Sequence, residues 1–443
     1  MFTVVRTIHR CSYLVGCRTY RAELGLLHSA MVDKNAVRLP RLYGHTAAAQ
    51  QEIDEIISDR KHLIVKFSNE KSASFNSLWL RHHCQCTECV QPHSGQKLVN
   101  PLTFPINLTL KDSAVKDGLV TLKWNEDDHV AQIPLEYLLE NQYSPEARKT
   151  QDDIRDVSYL MGPDVPTVEC DEVMNSQEGL LSWLVALNEF GAAVVKKCPK
   201  KKGFLDKIVP RITNIMPTIY GHNFVVEDTD RPVNVAYSNI RLDLHMDLIY
   251  YESAPGLQFL HCIKFNEDVQ GGESELLDSF LVADEMRKNF PQHFRALCEI
   301  PATFQKIHYE RDNPVSMRYR KPHFEANEFD KIIQVNWAPP FEGPLMVPED
   351  DIQRYYEAYN CFAKLLEESP HRVVFRLGPG DLLSFNNRRV LHGRKGFVVK
   401  GGGSRQLEGC YANIDEFKSR VNVISKLHGK GHTAKRVGNN DLL

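Results

Sequence analysis

The chain has 443 residues, of which 42% are apolar, 25% are charged and 9% are aromatic, and its formal net charge is −3. This composition excludes a disordered or fibrous chain, because it supplies enough apolar side chains for a large core divided over roughly two or three domains. No basic stripe is present, and no apolar run reaches the ~20 residues of a membrane-spanning helix, so we expect neither nucleic-acid binding nor a membrane span.

The first segment of the chain is rich in arginine and in hydroxyl side chains. Four arginines lie within residues 1–22, and the first acidic residue is Glu23. This composition is typical of a mitochondrial transit peptide, whose basic face is drawn by acidic receptors and by the membrane potential. We therefore expect residues 1–45 to form a transit peptide or flexible N-terminus and the protein to be mitochondrial. A basic tail on a cytoplasmic protein is the alternative.

Residues 50–142 are predicted to form a small β-rich domain. Short strand patterns at 62–67, 119–124 and 130–133 are separated by polar turns. The cysteine-rich part of the chain lies between the first two of these patterns, so any metal site there would belong to this domain.

Three of the eleven cysteines of the chain, Cys84, Cys86 and Cys89, crowd into six positions. Eleven is an odd number and too sparse for a disulfide scaffold, which favours metal binding in a reducing compartment. In a tight loop three thiolates can converge on one tetrahedral zinc ion, and a fourth ligand closes the site. Reduced, unliganded thiols are the alternative. The fourth ligand is expected from among four histidines: His82, His83, His93 and His129.

A polar stretch with several prolines, residues 143–167, is predicted to be a linker to a second domain at residues 165–425. This domain opens with a helix. Asn175 and Glu178 have the spacing of a capping box at its start, and Gly191 supplies its C-terminal stop.

Short apolar strand patterns dominate the rest of the second domain. Many short strands with turn signals and few helices predict a mainly β fold, a sandwich or open barrel with flanking helices. Residues 426–443, rich in glycine, lysine and asparagine, are expected to form a flexible tail. The strand patterns lie at 257–262, 274–277, 332–337, 373–377, 382–385 and 406–411, and the helical patterns at 204–216, 280–290 and 351–366.

The stretch around His245 and Asp247 carries the first chemical signal. These residues are two positions apart, so on an extended strand both side chains leave the same face. With a second histidine they would supply the facial triad of non-haem Fe(II) oxygenases, which keeps coordination positions open for the oxidant and a cosubstrate. The alternative is a surface strand with a salt-bridged histidine.

A second signal lies downstream, where a Gly378-Pro-Gly-Asp turn precedes an apolar strand and His392 follows that strand. Arg405 comes 13 residues later, at the start of another strand pattern. An arginine there can form a bidentate pair with the far carboxylate of a dicarboxylic cosubstrate. The order His-x-Asp, His, Arg is far more specific than any of its parts, and it predicts an iron-dependent oxygenase.

Taken together, the motifs resemble those of the γ-butyrobetaine dioxygenase and trimethyllysine dioxygenase family, which depends on Fe(II) and 2-oxoglutarate. The resemblance runs from about Ile64 to Val423. It implies a double-stranded β-helix (jelly roll) catalytic domain behind a small zinc-binding domain. The motifs that carry it are Trp79-Leu-Arg, Cys84-x-Cys86-x-x-Cys89, Tyr220-Gly-His, Asn234-Val-Ala-Tyr237, His245-Met-Asp247, Leu260-His-Cys262, Gly271-Gly-Glu-Ser-Glu275, Val390-Leu-His-Gly-Arg394 and Glu408-Gly-Cys-Tyr411.

The resemblance also implies a role for each matched residue. A trimethylammonium group has a diffuse charge and no hydrogen-bond donor, and aromatic faces bind it well. The implied cofactors are Fe(II), structural Zn²⁺, 2-oxoglutarate as cosubstrate and L-ascorbate. The implied residues are zinc ligands Cys84, Cys86, Cys89 and His129; iron ligands His245, Asp247 and His392; 2-oxoglutarate contacts Arg405 and Ser274; and substrate contacts Tyr220, Phe224, Asn234, Tyr237 and Tyr411.

Two positions depart from the γ-butyrobetaine dioxygenase pattern. Phe224 stands where that group usually has a tryptophan, and Ala338 where it has an asparagine that helps to hold the substrate carboxylate. The implied activity is hydroxylation of γ-butyrobetaine to L-carnitine by a homodimer that uses O₂. The alternatives are a trimethyllysine dioxygenase and a non-catalytic, zinc-stabilised interaction protein.

Overall fold

The structure is a computed structural model that describes residues 53–69, 71–227, 238–399 and 403–438. The expected transit peptide, Asn234 and Tyr237 therefore lie outside the described residues. None of the helices in the described ranges combines the length and the apolar character needed to span a bilayer.

The N-terminal domain contains two antiparallel three-stranded sheets, whose cores follow from strand periodicity. In the second strand Leu63, Val65 and Phe67 are buried, and the residues between them are partly exposed. Trp124 Nε1 donates to Ser77 Oγ at 3.0 Å and links the second sheet to the first helix. The elements are β1 (Ile53–Ser58), β2 (His62–Phe67), β3 (Ser72–Asn76), α1 (Ser77–His82), β4 (Leu110–Lys116), β5 (Leu119–Trp124), β6 (Ala131–Pro134) and α2 (Leu135–Glu140).

The prediction that residues 143–167 form a linker is wrong for its first half, which forms helix α3 (Pro145–Ile154). Ser144 caps this helix by accepting from Ala147 N at 3.1 Å. A proline in the first helical turn has no hydrogen bond to lose, so Pro145 begins the helix rather than breaking it. Buried Asp152 then accepts from Asn327 Nδ2 at 2.6 Å and fixes the helix to the second domain.

The second domain is built on two facing sheets with helices outside them, which confirms the predicted β-rich fold. Its strands are β7 (Thr167–Glu169), β8 (Ala192–Lys196), β9 (Phe224–Glu227), β10 (Leu242–His245), β11 (Leu257–Phe265), β12 (Val269–Gly271), β13 (Ser274–Asp278), β14 (Ala302–His308), β15 (Val315–Lys321), β16 (Phe324–Ala326), β17 (Ile332–Val335), β18 (Val373–Phe375), β19 (Leu382–Asn386), β20 (Val390–Arg394), β21 (Phe397–Val399) and β22 (Arg405–Ala412). Its helices are α4 (Cys170–Asn175), α5 (Gln177–Phe190), α6 (Leu205–Ile208), α7 (Ser279–Asn289), α8 (Pro291–Glu299), α9 (Glu349–Glu368) and α10 (Ile414–Leu427).

The larger sheet has the strand order β7-β8-β19-β11-β22-β9, and the smaller has the order β10-β20-β13-β18. Buried apolar side chains from both sheets form one cluster between them, which includes Leu276, Val373, Leu383, Phe385, Val390 and Leu407. The outer face of the larger sheet is covered by α5 and α10. This arrangement places β10 and β20 of the small sheet across from β11 and β22 of the large one.

One helix start and one helix length differ from the sequence prediction. Asn175 ends α4, and the N-cap of α5 is its neighbour Ser176, which accepts from Gly179 N at 2.9 Å. The helix predicted at 204–216 is only α6, followed by a 3₁₀ turn at Val209–Arg211, because Pro210 has no N–H to donate to an α-helix.

The prediction of a flexible tail is wrong for residues 426–438, the part of the tail that the structure describes. Helix α10 continues to Leu427, and beyond it Ala434 and Val437 are buried. The Asn188 side chain donates to Thr433 O at 2.9 Å and accepts from Lys435 N at 3.0 Å. These contacts join the end of the chain to α5, which the local composition of the tail could not indicate.

His261 on β11 leads to a prediction about acid stability. It is fully buried against Phe204, and burial lowers its pKa to about 4. An unfolded histidine has a pKa of about 6.5, so between these values only the unfolded state binds this proton. The free energy of unfolding therefore falls as the pH falls through this window, by up to about 3 kcal/mol.

We expect His261→Leu to lose less stability than wild type between pH 7 and pH 5, measured by urea unfolding at both values. His428→Leu, at an exposed position, is the control and should follow wild type. Equal pH dependence of His261→Leu and wild type would contradict this prediction.

Candidate functional site

A cavity of about 400 Å³ opens between the two sheets of the second domain. Strands of both sheets and the segment after β17 contribute its walls. The residues that line it are Tyr220, Phe224, Val226, Arg241, Leu242, Asp243, His245, Asp247, Gln258, Leu260, Ser274, Pro339, Pro340, Phe341, His392, Gly393, Arg394, Arg405, Leu407 and Tyr411.

His245, Asp247 and His392 converge at one end of this cavity. Strands β10 and β20 are antiparallel neighbours in which His245 lies directly opposite His392, and their ring centroids are 4.3 Å apart. Asp247 Oδ1 is 3.4 Å from His245 Nε2, and Asp247 Oδ2 is 3.9 Å from His392 Nε2. One donor atom from each residue lies within 4.8 Å of the others, so the group could hold a metal ion.

The local backbone differs from the continuous strand that the sequence predicts. Strand β10 ends at His245, and Asp247 lies in the turn that follows. Leu248, with φ of 57°, adopts the left-handed conformation that is uncommon for a residue with a side chain. The turn therefore brings the carboxylate beside the imidazole.

Hydrogen bonds and burial orient the donor atoms of the triad. His245 Nδ1 donates to Asp243 O at 2.7 Å, so Nε2 is the ring nitrogen that faces Asp247. Burial opposes protonation of His245, but the Asp247 carboxylate raises the pKa of this ring, and a bound cation would take the place of that proton. Burial lowers the pKa of His392 to about 3, so this ring is neutral. Burial opposes ionisation of Asp247, but the hydrogen bond with His245 holds its pKa well below the usual range. Two imidazoles and one carboxylate are the donor set of a facial triad with open positions.

Asp247 is held by three side chains, of which sequence reasoning missed two, Gln258 and Asn387. Gln258 Nε2 and Tyr411 Oη each donate to Asp247 Oδ2 at 2.8 Å. Buried Asn387 bonds to the main chain of Asp247, accepting from its N and donating to its O at 2.9 Å. A polar Asn-Asn-Arg-Arg run between two apolar strands was a signal for Asn387, whereas nothing in the local sequence marks Gln258.

Arg405 and Ser274 line the cavity beside the triad, on β22 and β13 respectively. No carboxylate in the described part of the chain forms an ion pair with Arg405, and its Nε is buried without a hydrogen-bond partner. Burial, with the charge of Arg394, lowers the pKa of Arg405 to about 10. A buried cation that lacks a protein counter-charge is suited to an anionic ligand.

Three of the five predicted substrate contacts lie in the described residues and form an aromatic wall of the cavity. The rings of Phe224 and Tyr411 stack with centroids 5.1 Å apart, and Tyr220 is 6.1 Å from Phe224. Gly409 allows this packing, because a Cβ there would lie 2.3 Å from the Phe224 ring. The side chain of Ala338 is a methyl group, so it offers no polar group to a ligand, and the residue is fully buried outside the cavity lining.

The cysteine cluster forms a second candidate metal site, in the N-terminal domain. His129 Nε2 lies 3.4 Å from Cys84 Sγ, 3.5 Å from Cys86 Sγ and 3.4 Å from Cys89 Sγ. Of the four candidate histidines, His129 is the one in the cluster. Three sulfurs around one imidazole nitrogen at nearly equal distances fit a tetrahedral ligand set.

Comparison with known proteins agrees with this geometry. Residues 153–411 match the family described as taurine catabolism dioxygenase TauD, TfdA family, and residues 55–139 match the one described as γ-butyrobetaine hydroxylase-like, N-terminal. The chain is 28% identical to the γ-butyrobetaine dioxygenase of Homo sapiens over 372 residues, which cover 83% of this chain and 95% of that protein.

The chain is also similar to a second human dioxygenase and to a solved bacterial structure. The mitochondrial trimethyllysine dioxygenase of Homo sapiens is 26% identical over 430 residues, covering 94% of this chain and 98% of that protein. A taurine dioxygenase structure from Burkholderia xenovorans matches with a TM-score of 0.41 and 12% identity, over 58% of this chain and 90% of that one. The resemblance predicted from the motifs is confirmed: the chain belongs to the TauD, TfdA family and is a 2-oxoglutarate-dependent dioxygenase.

Proposed function

We propose that the enzyme hydroxylates γ-butyrobetaine to L-carnitine, with His245, Asp247 and His392 as its Fe(II) ligands. The observation that carries this proposal is the position of Tyr411. Its hydroxyl donates to Asp247, while its ring stacks on Phe224 in the wall of the same cavity. A trimethylammonium group held at that wall would have its carbon chain close to the triad.

Fe(II) held by His245, Asp247 and His392 would supply activation of O₂ coupled to oxidative decarboxylation of 2-oxoglutarate. The residues around it bind and orient the reactants. Arg405 provides a bidentate partner for the far carboxylate of 2-oxoglutarate, and Ser274 provides a hydroxyl beside it. The apolar side chains of Leu260, Leu407 and Phe341 exclude water from the space where the substrate C–H bond is placed.

The aromatic wall accounts for recognition of the substrate cation. Tyr220, Phe224 and Tyr411 present faces that bind a quaternary ammonium without desolvating a counter-ion. We include Asn234 and Tyr237 in the substrate site from the sequence resemblance. Since Ala338 cannot bind the substrate carboxylate, this end of the substrate depends on other groups.

Trimethyllysine is the second candidate substrate. The match to the human trimethyllysine dioxygenase extends over 94% of this chain, compared with 83% for the human γ-butyrobetaine dioxygenase. The two substrates share the trimethylammonium group and differ at the other end, where Ala338 departs from the γ-butyrobetaine dioxygenase pattern.

Both compounds should be incubated separately with the enzyme, Fe(II) and 2-oxoglutarate, and succinate and the mass of the product should be measured. We expect γ-butyrobetaine to gain one oxygen atom and to release succinate faster than trimethyllysine does. Inertness toward γ-butyrobetaine would reject the proposal, and turnover of trimethyllysine alone would establish the second candidate.

We further propose that Cys84, Cys86, Cys89 and His129 hold a structural Zn²⁺. Burial raises the pKa of the Cys84 thiol to about 12, a preference for the neutral form that a bound dication would reverse. We expect Cys89→Ser to reduce bound zinc, measured by mass spectrometry of the metal, to about one-tenth of wild type and to lower the Tm. Cys298→Ser, at a half-buried position on α8, is the matched control. Wild-type protein without stoichiometric zinc would contradict the assignment.

A mitochondrial location is also our proposal, supported by the mitochondrial relative and by the basic start of the chain. Sequencing the N-terminus of the protein from isolated mitochondria tests it, and an intact Met1 in the cytosol would reject it. Stimulation by L-ascorbate and homodimer formation stay predictions from the sequence resemblance.

A further inference from the structure

The carboxylate of Asp247 is held from the opposite sheet by a cross-strand pair. Gln258 on β11 lies directly opposite Tyr411 on β22 in their antiparallel ladder. Both side chains donate to the same oxygen, Asp247 Oδ2, each at 2.8 Å. The other oxygen, Oδ1, faces His245 Nε2 at 3.4 Å.

This division of the two oxygens has a consequence for metal binding. Because Oδ2 already accepts two hydrogen bonds, the carboxylate is oriented to present Oδ1 to an ion held with the two histidines. A carboxylate that used both oxygens would occupy one of the positions that the facial triad leaves open for other ligands. The two donors therefore favour ligation through one oxygen.

The main chain of Asp247 has little freedom to compensate for a change in these donors. The Asn387 side chain accepts a hydrogen bond from Asp247 N and donates one to Asp247 O, each at 2.9 Å. Leu248, which follows Asp247, is in the left-handed conformation. Asn387 and Leu248 are both buried. The orientation of the carboxylate thus depends on the two donors at Oδ2.

Gln258 and Tyr411 differ in what else they contact. The ring of Tyr411 stacks on Phe224 at 5.1 Å with an interplanar angle of 26°, and it forms part of the aromatic wall of the cavity. Because the ring and the hydroxyl are one rigid group, a displacement of the ring when a ligand binds at the wall also moves the hydroxyl at Oδ2, unless the ring only turns about its own Cγ–Cζ axis. The Gln258 side chain is an amide and offers no aromatic face to a ligand.

We propose that Tyr411 is a positioning residue that couples occupancy of the aromatic wall to metal affinity at the triad, and that Gln258 positions the carboxylate without this coupling. The trimethylammonium class of ligand rests on the proposed function. Coupling of this kind is reciprocal: a ligand at the wall raises the affinity for the metal by the same factor by which the metal raises the affinity for the ligand.

The test uses two probes that do not depend on turnover. Mn²⁺, which takes the same nitrogen and oxygen ligands as Fe(II), is titrated into metal-free enzyme by calorimetry, with and without saturating tetramethylammonium. The variants are Tyr411→Phe, which keeps the ring and loses the hydroxyl, and Gln258→Met, which keeps the side-chain length and loses the amide donor. Circular dichroism and the Tm check that each variant is folded.

For wild type we expect tetramethylammonium to lower the Kd for Mn²⁺ by about 5-fold or more. Both variants should bind Mn²⁺ about 10- to 100-fold more weakly, the usual range for loss of an outer hydrogen bond to a ligand. Gln258→Met should retain the wild-type coupling factor, and Tyr411→Phe should reduce it to about 1.

Four results would overturn the proposal: no binding of tetramethylammonium, no coupling in wild type, wild-type coupling in Tyr411→Phe, or equal loss of coupling in both variants. These outcomes are separate from failure of the proposed function. If γ-butyrobetaine is not hydroxylated while tetramethylammonium still tightens Mn²⁺ through Tyr411, only the substrate assignment fails. Absence of tetramethylammonium binding would also reject the aromatic wall as a site for the substrate cation.

Discussion

His392→Ala is expected to lower 2-oxoglutarate turnover by about 10³-fold or more, because groups that act as one unit lose nearly all their effect when one member is removed. His392 lies opposite His245 in the β10–β20 pair, and no other histidine lines the cavity in the described residues. The measurement is succinate formation with saturating Fe(II), together with the Kd for Mn²⁺.

The chain supplies a matched control for this variant. Leu427-His428-Gly429 repeats the tripeptide Leu391-His392-Gly393, but His428 is exposed at the end of α10. His428→Ala should therefore keep wild-type turnover and metal affinity. Turnover of His392→Ala above about one-tenth of wild type would contradict its assignment as an iron ligand.

Arg405→Gln is expected to raise the KM for 2-oxoglutarate by about 30-fold or more, since loss of a buried charged partner costs ~2–5 kcal/mol in binding. Arg405 is buried in the cavity wall, and burial and Arg394 lower its pKa to about 10, so its charge is poorly compensated until an anion binds. The KM of Arg405→Lys should lie between those of Arg405→Gln and wild type, because lysine keeps the charge but cannot form the bidentate pair.

Arg376→Gln is the control for Arg405. The Arg376 guanidinium lies over the ring of Phe265 at 3.6 Å, as that of Arg405 does at 5.2 Å, but Arg376 does not line the cavity. The KM of Arg376→Gln for 2-oxoglutarate should stay within about twofold of wild type. Similar increases in KM for both variants would show a general effect of charge and would contradict a direct contact by Arg405.

The elements that carry the site were predictable because their signals are local. The apolar runs of β11, β19 and β22 are short, buried and bounded by turns, and the sequence places them within a few residues of their observed ends. The order of His245, Asp247, His392 and Arg405 could likewise be recognised, since metal ligands and anion partners are restricted to few residue types.

What the sequence missed depends on contacts between distant residues. Gln258 bonds to Asp247 from another sheet, and Asn188 holds Thr433 across 245 positions. The pattern of apolar and polar residues within a strand or tail does not indicate which distant residue a side chain will contact. The fourth member of the cysteine cluster was ambiguous for the same reason, because only the fold brings His129 to the three thiols.

The proposed dioxygenase reaction is best tested by hydroxylation of γ-butyrobetaine under ¹⁸O₂ in unlabelled water, with mass spectrometry of both products. We expect one labelled oxygen in the hydroxylated product and one in succinate, formed in equal amounts. A product whose new oxygen comes from water, or succinate released without any hydroxylated product, would contradict it.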